Sequence, residues 1–184
     1  VIERLKHFVS KQAFSIEGFA EKQLLQLYDL AWIKSPTDIF YLETKYGHNS
    51  KIPLKNLDNW GEKSADNLFK AIEKSKKIPL NKFIFSLGIR YVGEVVASML
   101  AKYYVEWDIF YDKMKNLSQK NNSALDELVN IDGIGLKSVH ELKLFFSNKV
   151  SLEITLELPK LIEIEKYQQK NISSPIYDMS LVFT

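Results

Sequence analysis

Four short stretches of this chain share the pattern apolar–x–Gly–apolar–Gly, or a near variant of it. The fullest copy is Ile131-Asp132-Gly133-Ile134-Gly135, followed at once by Leu136-Lys137-Ser138. Ile16-Glu17-Gly18-Phe19-Ala20, Leu57-Asp58-Asn59-Trp60-Gly61 and Ile89-Arg90-Tyr91-Val92-Gly93 align with it, so the copies begin at residues 16, 57, 89 and 131. Counted from the last residue of each copy, offsets 4, 7, 8 and 11 form a helical stripe. These positions are Leu24, Leu27, Tyr28 and Ala31; Ala65, Leu68, Phe69 and Ile72; Ala97, Leu100, Ala101 and Tyr104; and Val139, Leu142, Lys143 and Phe146. Only Lys143 breaks the stripe. Each copy therefore reads as a tight hairpin feeding a helix.

A short helix is expected before each hairpin as well. The first lies within Ile2–Val9 and buries Leu5, Phe8 and Val9. Ser35-Pro36-Thr37-Asp38 reads as N-cap, first-turn proline and early carboxylate, opening a helix through Leu42. Pro79 opens Leu80–Ser86, which Gly88 closes, and Ser123 opens a helix ending near Asn130. A single helix–hairpin–helix unit cannot bury its own apolar face, so four units should pack in pairs. Between them, 47–53 reads as a surface loop, Val105–Leu117 as an extra helix carrying Trp107, Phe110 and Met114, and 118–122 as a polar loop. Val150–Leu158 shows an alternating apolar pattern in a polar surround. Residues 151–175 are therefore read as a connector, and Tyr177–Thr184 as a β-strand centred on Leu181-Val182-Phe183.

The hairpins carry the functional signal. Glycine reaches positive φ without a Cβ clash, and the following helix adds unpaired first-turn N–H groups and the positive end of its dipole. That combination is an anion site suited to phosphate. Ordinary helix–helix turns are the alternative reading. Lys22, Lys63 and Lys137 each lie two residues past a hairpin, where an ammonium either neutralises the same phosphate or simply faces solvent. Ser64 and Ser138 follow two of them, as donors to a phosphate oxygen or as supports of the first helical turn. Arg90 is either a phosphate contact or a partner for a carboxylate such as Glu94. The candidate phosphate-binding residues are thus Gly18, Lys22, Asn59, Gly61, Lys63, Ser64, Arg90, Gly93, Gly133, Gly135, Lys137 and Ser138, with no catalytic and no metal-binding residue assigned. Glu21, Glu62 and Glu94 read as first-turn helix stabilisers. His7, His48 and His140 lack ligand spacing, and Trp32, Trp60 and Trp107 read as core.

Composition narrows the classes further. The net charge is only +2 and arginine occurs only at positions 4 and 90, so any basic face comes from arrangement and base-edge readout has few candidates. With no cysteine, disulfides, thiol catalysis and cysteine-ligated zinc are excluded within the chain. No apolar run is long enough to span a bilayer, and no secretory leader opens the sequence. A cytoplasmic location without membrane contact is expected.

Four lines resemble the C-terminal half of bacterial NAD-dependent DNA ligase. They are Glu3-Arg4-Leu5-Lys6-His7-Phe8-Val9-Ser10, the run Ile16–Lys22, the run Trp60–Leu68 and the run Leu87–Glu94. The resemblance implies an all-α tandem helix–hairpin–helix domain of the (HhH)2 type over residues 1–150, with four motifs. It further implies a connector over 151–175, and over 176–184 the first strand of a truncated BRCT domain. The implied role is sequence-independent binding of nicked double-stranded DNA, through minor-groove phosphates, within an enzyme that seals nicks in DNA replication and repair. The family's nucleotidyltransferase domain and four-cysteine zinc finger do not occur here. The fragment is therefore expected to be inactive alone and to bind no cofactor, while NAD, Mg2+ and a zinc ion belong to the full-length enzyme outside this chain. Its expected partners are the DNA and the remaining ligase domains, and it should be a monomer near the bacterial nucleoid. Ala20 departs from the second hairpin glycine, and Asn59 and Tyr91 from the first. Two rivals stand beside this reading: a helix–hairpin–helix DNA glycosylase, for which Asp108 and Asp112 are the candidate acids, and a protein-interaction scaffold.

Overall fold

The computed structural model describes residues 1–117 and 123–169. Eleven α-helices and one small strand pair make up the described residues: α1 (Ile2–Val9), α2 (Glu21–Asp29), α3 (Pro36–Phe40), α4 (Leu42–Tyr46), α5 (Glu62–Ser75), β1 (Lys77–Pro79), α6 (Leu80–Ser86), α7 (Glu94–Tyr104), α8 (Trp107–Leu117), α9 (Ser123–Val129), α10 (Leu136–Ser147), α11 (Lys149–Leu161) and β2 (Glu163–Glu165). The helical reading and the four helix–hairpin–helix units hold. The strand expected over 176–184 and the loop at 118–122 lie outside the described residues.

Each unit is built as its residues dictate. At α3, the Asp38 carboxylate accepts the Ser35 N–H at 2.9 Å while Pro36 fills the first helical position, where no N–H is needed. The stripe positions of α5, α7 and α10 are buried, apart from the exposed Lys143. The first copy is shorter than its stripe: α2 ends at Asp29, and Ala31 turns outward at φ 59° and is exposed. The second hairpin is preceded by a single 3-10 turn, Leu54–Asn56, beyond the surface loop.

The units pair as first with second and third with fourth. Gln26 of α2 donates to Asp58 O at 2.9 Å and accepts the Trp60 indole N–H at 2.9 Å, tying the second hairpin to the first unit. Gly18 of the first hairpin lies against Leu68 of α5, and Gly133 of the fourth lies against Met99 of α7. One core then runs through both pairs. Its aromatic rings follow one another from Phe8 to Phe14 (4.3 Å), Phe83 to Trp107 (4.7 Å) and Phe110 to Phe146 (5.9 Å). Each such ring or leucine contributes roughly 1.5–3 kcal/mol by leaving water.

Most of α11 and all of β2 fall within residues 151–175, read from the sequence as a connector. Asn148 caps α11 by accepting the Ser151 N–H at 3.1 Å. The buried face of α11 is Ser151, Ile154, Thr155 and Leu158, a helical stripe in which two members are polar. Counting apolar residues misses it and picks out Val150 and Leu156, which are exposed. Helix α11 packs on α10 and on α3, and Tyr41 donates to Glu157 at 2.9 Å, so it bridges the two pairs. The chain then adds β2 in parallel to β1, with Ile78 opposite Ile164. Beyond it, the Tyr167 N–H donates to Val105 O at 2.9 Å.

Candidate nucleic-acid interface

The four hairpins share one backbone geometry despite their different residues. The third position has positive φ in every copy: 93° at Gly18, 67° at Asn59, 59° at Tyr91 and 84° at Gly133. In the last three copies the fourth residue donates back to the first, as Trp60 N–H to Leu57 O (3.0 Å), Val92 N–H to Ile89 O (3.1 Å) and Ile134 N–H to Ile131 O (3.1 Å). A turn so closed, with positive φ only at its third residue, is the type II pattern, which favours glycine or asparagine there. Tyr91 occupies that position at a conformational cost of about 1–2 kcal/mol.

The fifth position is the N-cap of the helix that follows: Ala20, Gly61, Gly93 and Gly135. The three glycines have φ of −142°, −79° and −77°, which any residue adopts. A Cβ built on any of the three would meet nothing within 4 Å. Nothing inside the fold therefore demands glycine at these positions. Glycine there leaves the backbone open to close approach from outside.

The free donors are not equally distributed. The Ala20 N–H is taken by Gln23 Oε1 at 3.1 Å, and the Gly61 N–H by Ser64 Oγ at 2.9 Å. No side-chain cap engages α7 or α10. Glu21, Glu62 and Glu94 stand in the first turns of α2, α5 and α7, whereas α10 has no acidic residue there. Glu62 is drawn toward Lys55 at 3.4 Å and His48 at 3.9 Å, and His48 also pairs with Asp66. Glu21 is bound by Lys6 at 2.7 Å; that hydrogen bond holds its carboxyl below the usual range and raises Lys6.

Lys22, Lys63 and Lys137 are all exposed, and no ion pair engages them among the described residues. Lys137 Nζ lies 5.6 Å from the Tyr91 ring centroid, and the Arg90 guanidinium lies 5.8 Å from it on the same exposed hairpin. Arg90 forms no ion pair with Glu94 or any other described residue. Lys137, Tyr91 and Arg90 thus make one cationic and aromatic cluster joining the third and fourth hairpins. Ser64 supports the first turn of α5, the second of its two expected roles. Ser138 takes neither role: it is buried, and its hydroxyl donates across to Tyr91 O at 2.7 Å, locking α10 to the third hairpin. Gly18 and Gly133 face neighbouring helices and serve the turn, while Gly93 and Gly135 present open backbone.

One basic residue near the third hairpin was not singled out from the sequence. Arg4 on α1 reaches toward α10, where its guanidinium lies 5.2 Å from the Phe145 ring centroid. Its scarcity was the available signal, since only Arg4 and Arg90 are arginines. Asp108 and Asp112 are exposed on α8, and Lys115 pairs with Asp112 at 3.4 Å. Among the described residues no group of three or more His, Asp or Glu side chains is placed to hold a metal ion, and no helix is long and apolar enough to cross a membrane.

A family model described as the helix-hairpin-helix motif matches residues 82–154, which hold the third and fourth hairpins. The chain is 43% identical over all its 184 residues to a DNA ligase of Ehrlichia chaffeensis, covering 26% of that protein. It is 40% identical over 182 residues to a DNA ligase of Rickettsia rickettsii, again covering 26%. Over 134 residues, 73% of the chain, it is 48% identical to a DNA ligase of Roseobacter denitrificans, covering 19% of it. The chain spans about a quarter of the length of the curated relatives it matches along its whole extent. The resemblance to bacterial DNA ligase is borne out, and so is the helix–hairpin–helix fold.

Proposed function

We propose that this chain, similar throughout to a quarter-length part of bacterial DNA ligases, holds duplex DNA for such an enzyme by gripping backbone phosphates across the minor groove. The observation that carries the reading is the set of N-cap glycines, Gly61, Gly93 and Gly135, kept where the fold itself has room for a side chain. A phosphate oxygen drawn to a helix N-terminus needs that open approach, and the partial positive charge there rewards it. Lys137 and Arg90 neutralise neighbouring phosphates, with Lys63 and Lys22 in the same register on the first pair. Contacts of this kind position a duplex without reading its sequence.

The enzyme so served is a nick-sealing ligase that takes AMP from NAD, and its reacting groups lie outside this chain. We place NAD, Mg2+ and zinc with the rest of such an enzyme. The glycosylase alternative fares worse, because Asp108 and Asp112 face solvent on α8.

Fluorescence anisotropy of a labelled nicked duplex tests the reading. Binding should weaken steeply with salt, by about 0.9 in log–log slope for each phosphate neutralised, and show little sequence preference. The Gly61→Val, Gly135→Val double variant should stay folded and lose binding. A folded wild-type chain that fails to bind at low salt would remove the proposal.

A further inference from the structure

A cleft of about 610 Å³ opens between α1, the third hairpin and the junction of α10 with α11. Both arginines of the chain line it, together with Glu141, Phe145 and Asn148. The Arg4 stem packs under Gly88, with Cγ 3.8 Å from where a glycine Cβ would stand. Its guanidinium sits 5.2 Å from the Phe145 ring centroid, and Nη2 is buried with no hydrogen-bond partner among the described residues. Buried polar groups are almost always satisfied, so a guanidinium N–H left without an acceptor at the wall of an open cleft calls for an explanation. Burial pushes the Arg4 pKa down, and no carboxylate among the described residues offsets it. Glu3, which also lines the cleft, is held by Lys6 at 2.8 Å, leaving Glu141 as the carboxylate set against two guanidinium groups.

We propose that this cleft is a phosphate site, in which Arg4 from below and Arg90 from the hairpin grip one backbone phosphate of the DNA strand that the third hairpin holds. Arginine offers the paired N–H donors that match phosphate oxygens, and its flat face tolerates the Phe145 ring beneath it. The site rests on the proposed DNA-holding role and extends it: the hairpin amides would hold the strand on one side, and the cleft would take a phosphate on the other. DNA is favoured over a free phosphate because the third hairpin itself, from Gly88 to Val92, forms one wall.

The test uses the same labelled nicked duplex over a salt series, with wild type, Arg4→Met, Arg4→Lys and Arg90→Met. Arg4→Met keeps an apolar stem over Phe145 and should bind about five- to tenfold more weakly, with a log–log salt slope shallower by about 0.9. Arg4→Lys should recover part of both changes. Because the chain has two arginines, it has two arginine Nε–H groups to follow by 15N NMR, and the exposed Arg90→Met variant assigns them. The Arg4 signal of the unaltered chain should shift on adding duplex, which needs no Arg4 variant to fold. Wild-type binding with an unmoved Arg4 signal and an unchanged Arg4→Met salt slope would overturn the cleft proposal while leaving the DNA-holding role intact. A wild-type chain that binds no duplex would overturn both. Inorganic phosphate, added in place of duplex, that moves the Arg4 signal while Arg4→Met leaves DNA affinity unchanged would overturn DNA as the occupant.

Discussion

The first and second hairpin pairs have the same backbone and different chemistry. In the first pair, the N-cap amides are consumed from within: Gln23 takes that of Ala20, and Ser64 takes that of Gly61. Carboxylates crowd both helix starts, with Glu21 tied to Lys6 and Glu62 beside Lys55 and His48. In the second pair, α7 and α10 have no side-chain cap, α10 has no first-turn acid, and Arg90 and Lys137 flank an exposed Tyr91. Repeating a fold does not repeat its binding strength. What decides is whether the helix N-terminus has already found its acceptor. On this account the second pair grips DNA more strongly, and the first pair chiefly sets spacing and stability.

The largest expected effect follows from closing the open backbone. Gly93→Val with Gly135→Val should weaken duplex binding about 100-fold if two charge-assisted contacts are lost, while Gly61→Val costs less than about threefold. Both variants should still fold, since an added Cβ meets nothing within 4 Å beyond its chain neighbours, with valine at each N-cap costing about 1 kcal/mol. Equal losses in anisotropy titrations would erase the contrast between the pairs.

The lysines sharpen it next. Lys137→Met should cost roughly five- to tenfold in affinity and lower the salt slope by about 0.9, with Lys63→Met giving a smaller change in both. Matched serine changes separate stability from binding. Ser138→Ala removes the donor to Tyr91 O from a buried site and should cost about 1–2 kcal/mol of stability in a denaturant melt. Ser64→Ala removes a cap at an exposed turn and should cost about 0.5–1 kcal/mol. It also frees the Gly61 N–H, so duplex affinity should hold or rise. Affinity that falls with Ser64→Ala would mean that the hydroxyl itself touches DNA.

The smallest effect is one of pH. The Lys6 hydrogen bond holds Glu21 below the ordinary carboxylate range, so its contribution is complete above the unfolded value and is lost as pH falls through the folded one. An NMR titration of the Glu21 carboxyl should show that depression, and Lys6→Met should raise its midpoint back toward the ordinary carboxylate range. An unaltered midpoint would remove the tie between α1 and the first hairpin.

Much of this was legible from residues alone, because a glycine-marked turn followed by an i, i+3, i+4, i+7 stripe is local information. The repeat located all four hairpins and their helices. What escaped depends on distant partners. Ser138 looks like Ser64 in register, yet its hydroxyl is committed to a carbonyl 47 residues away. Helix α11 buries Ser151 and Thr155 while exposing Val150 and Leu156, so its apolar pattern points to the wrong period. Strands β1 and β2 have three residues each, too few for alternation to register. Arg4 sits in a helix whose apolar face is plain, and only the approach of α10 and the third hairpin gives its guanidinium a cleft to face.

Amide NMR of the chain with and without nicked duplex tests the central claim most directly. The amides of Gly93 and Gly135 should shift strongly on binding, while those of Ala20 and Gly61, already engaged by Gln23 and Ser64, should move little. Shifts of equal size in all four, or shifts confined to Ala20 and Gly61, would contradict the account.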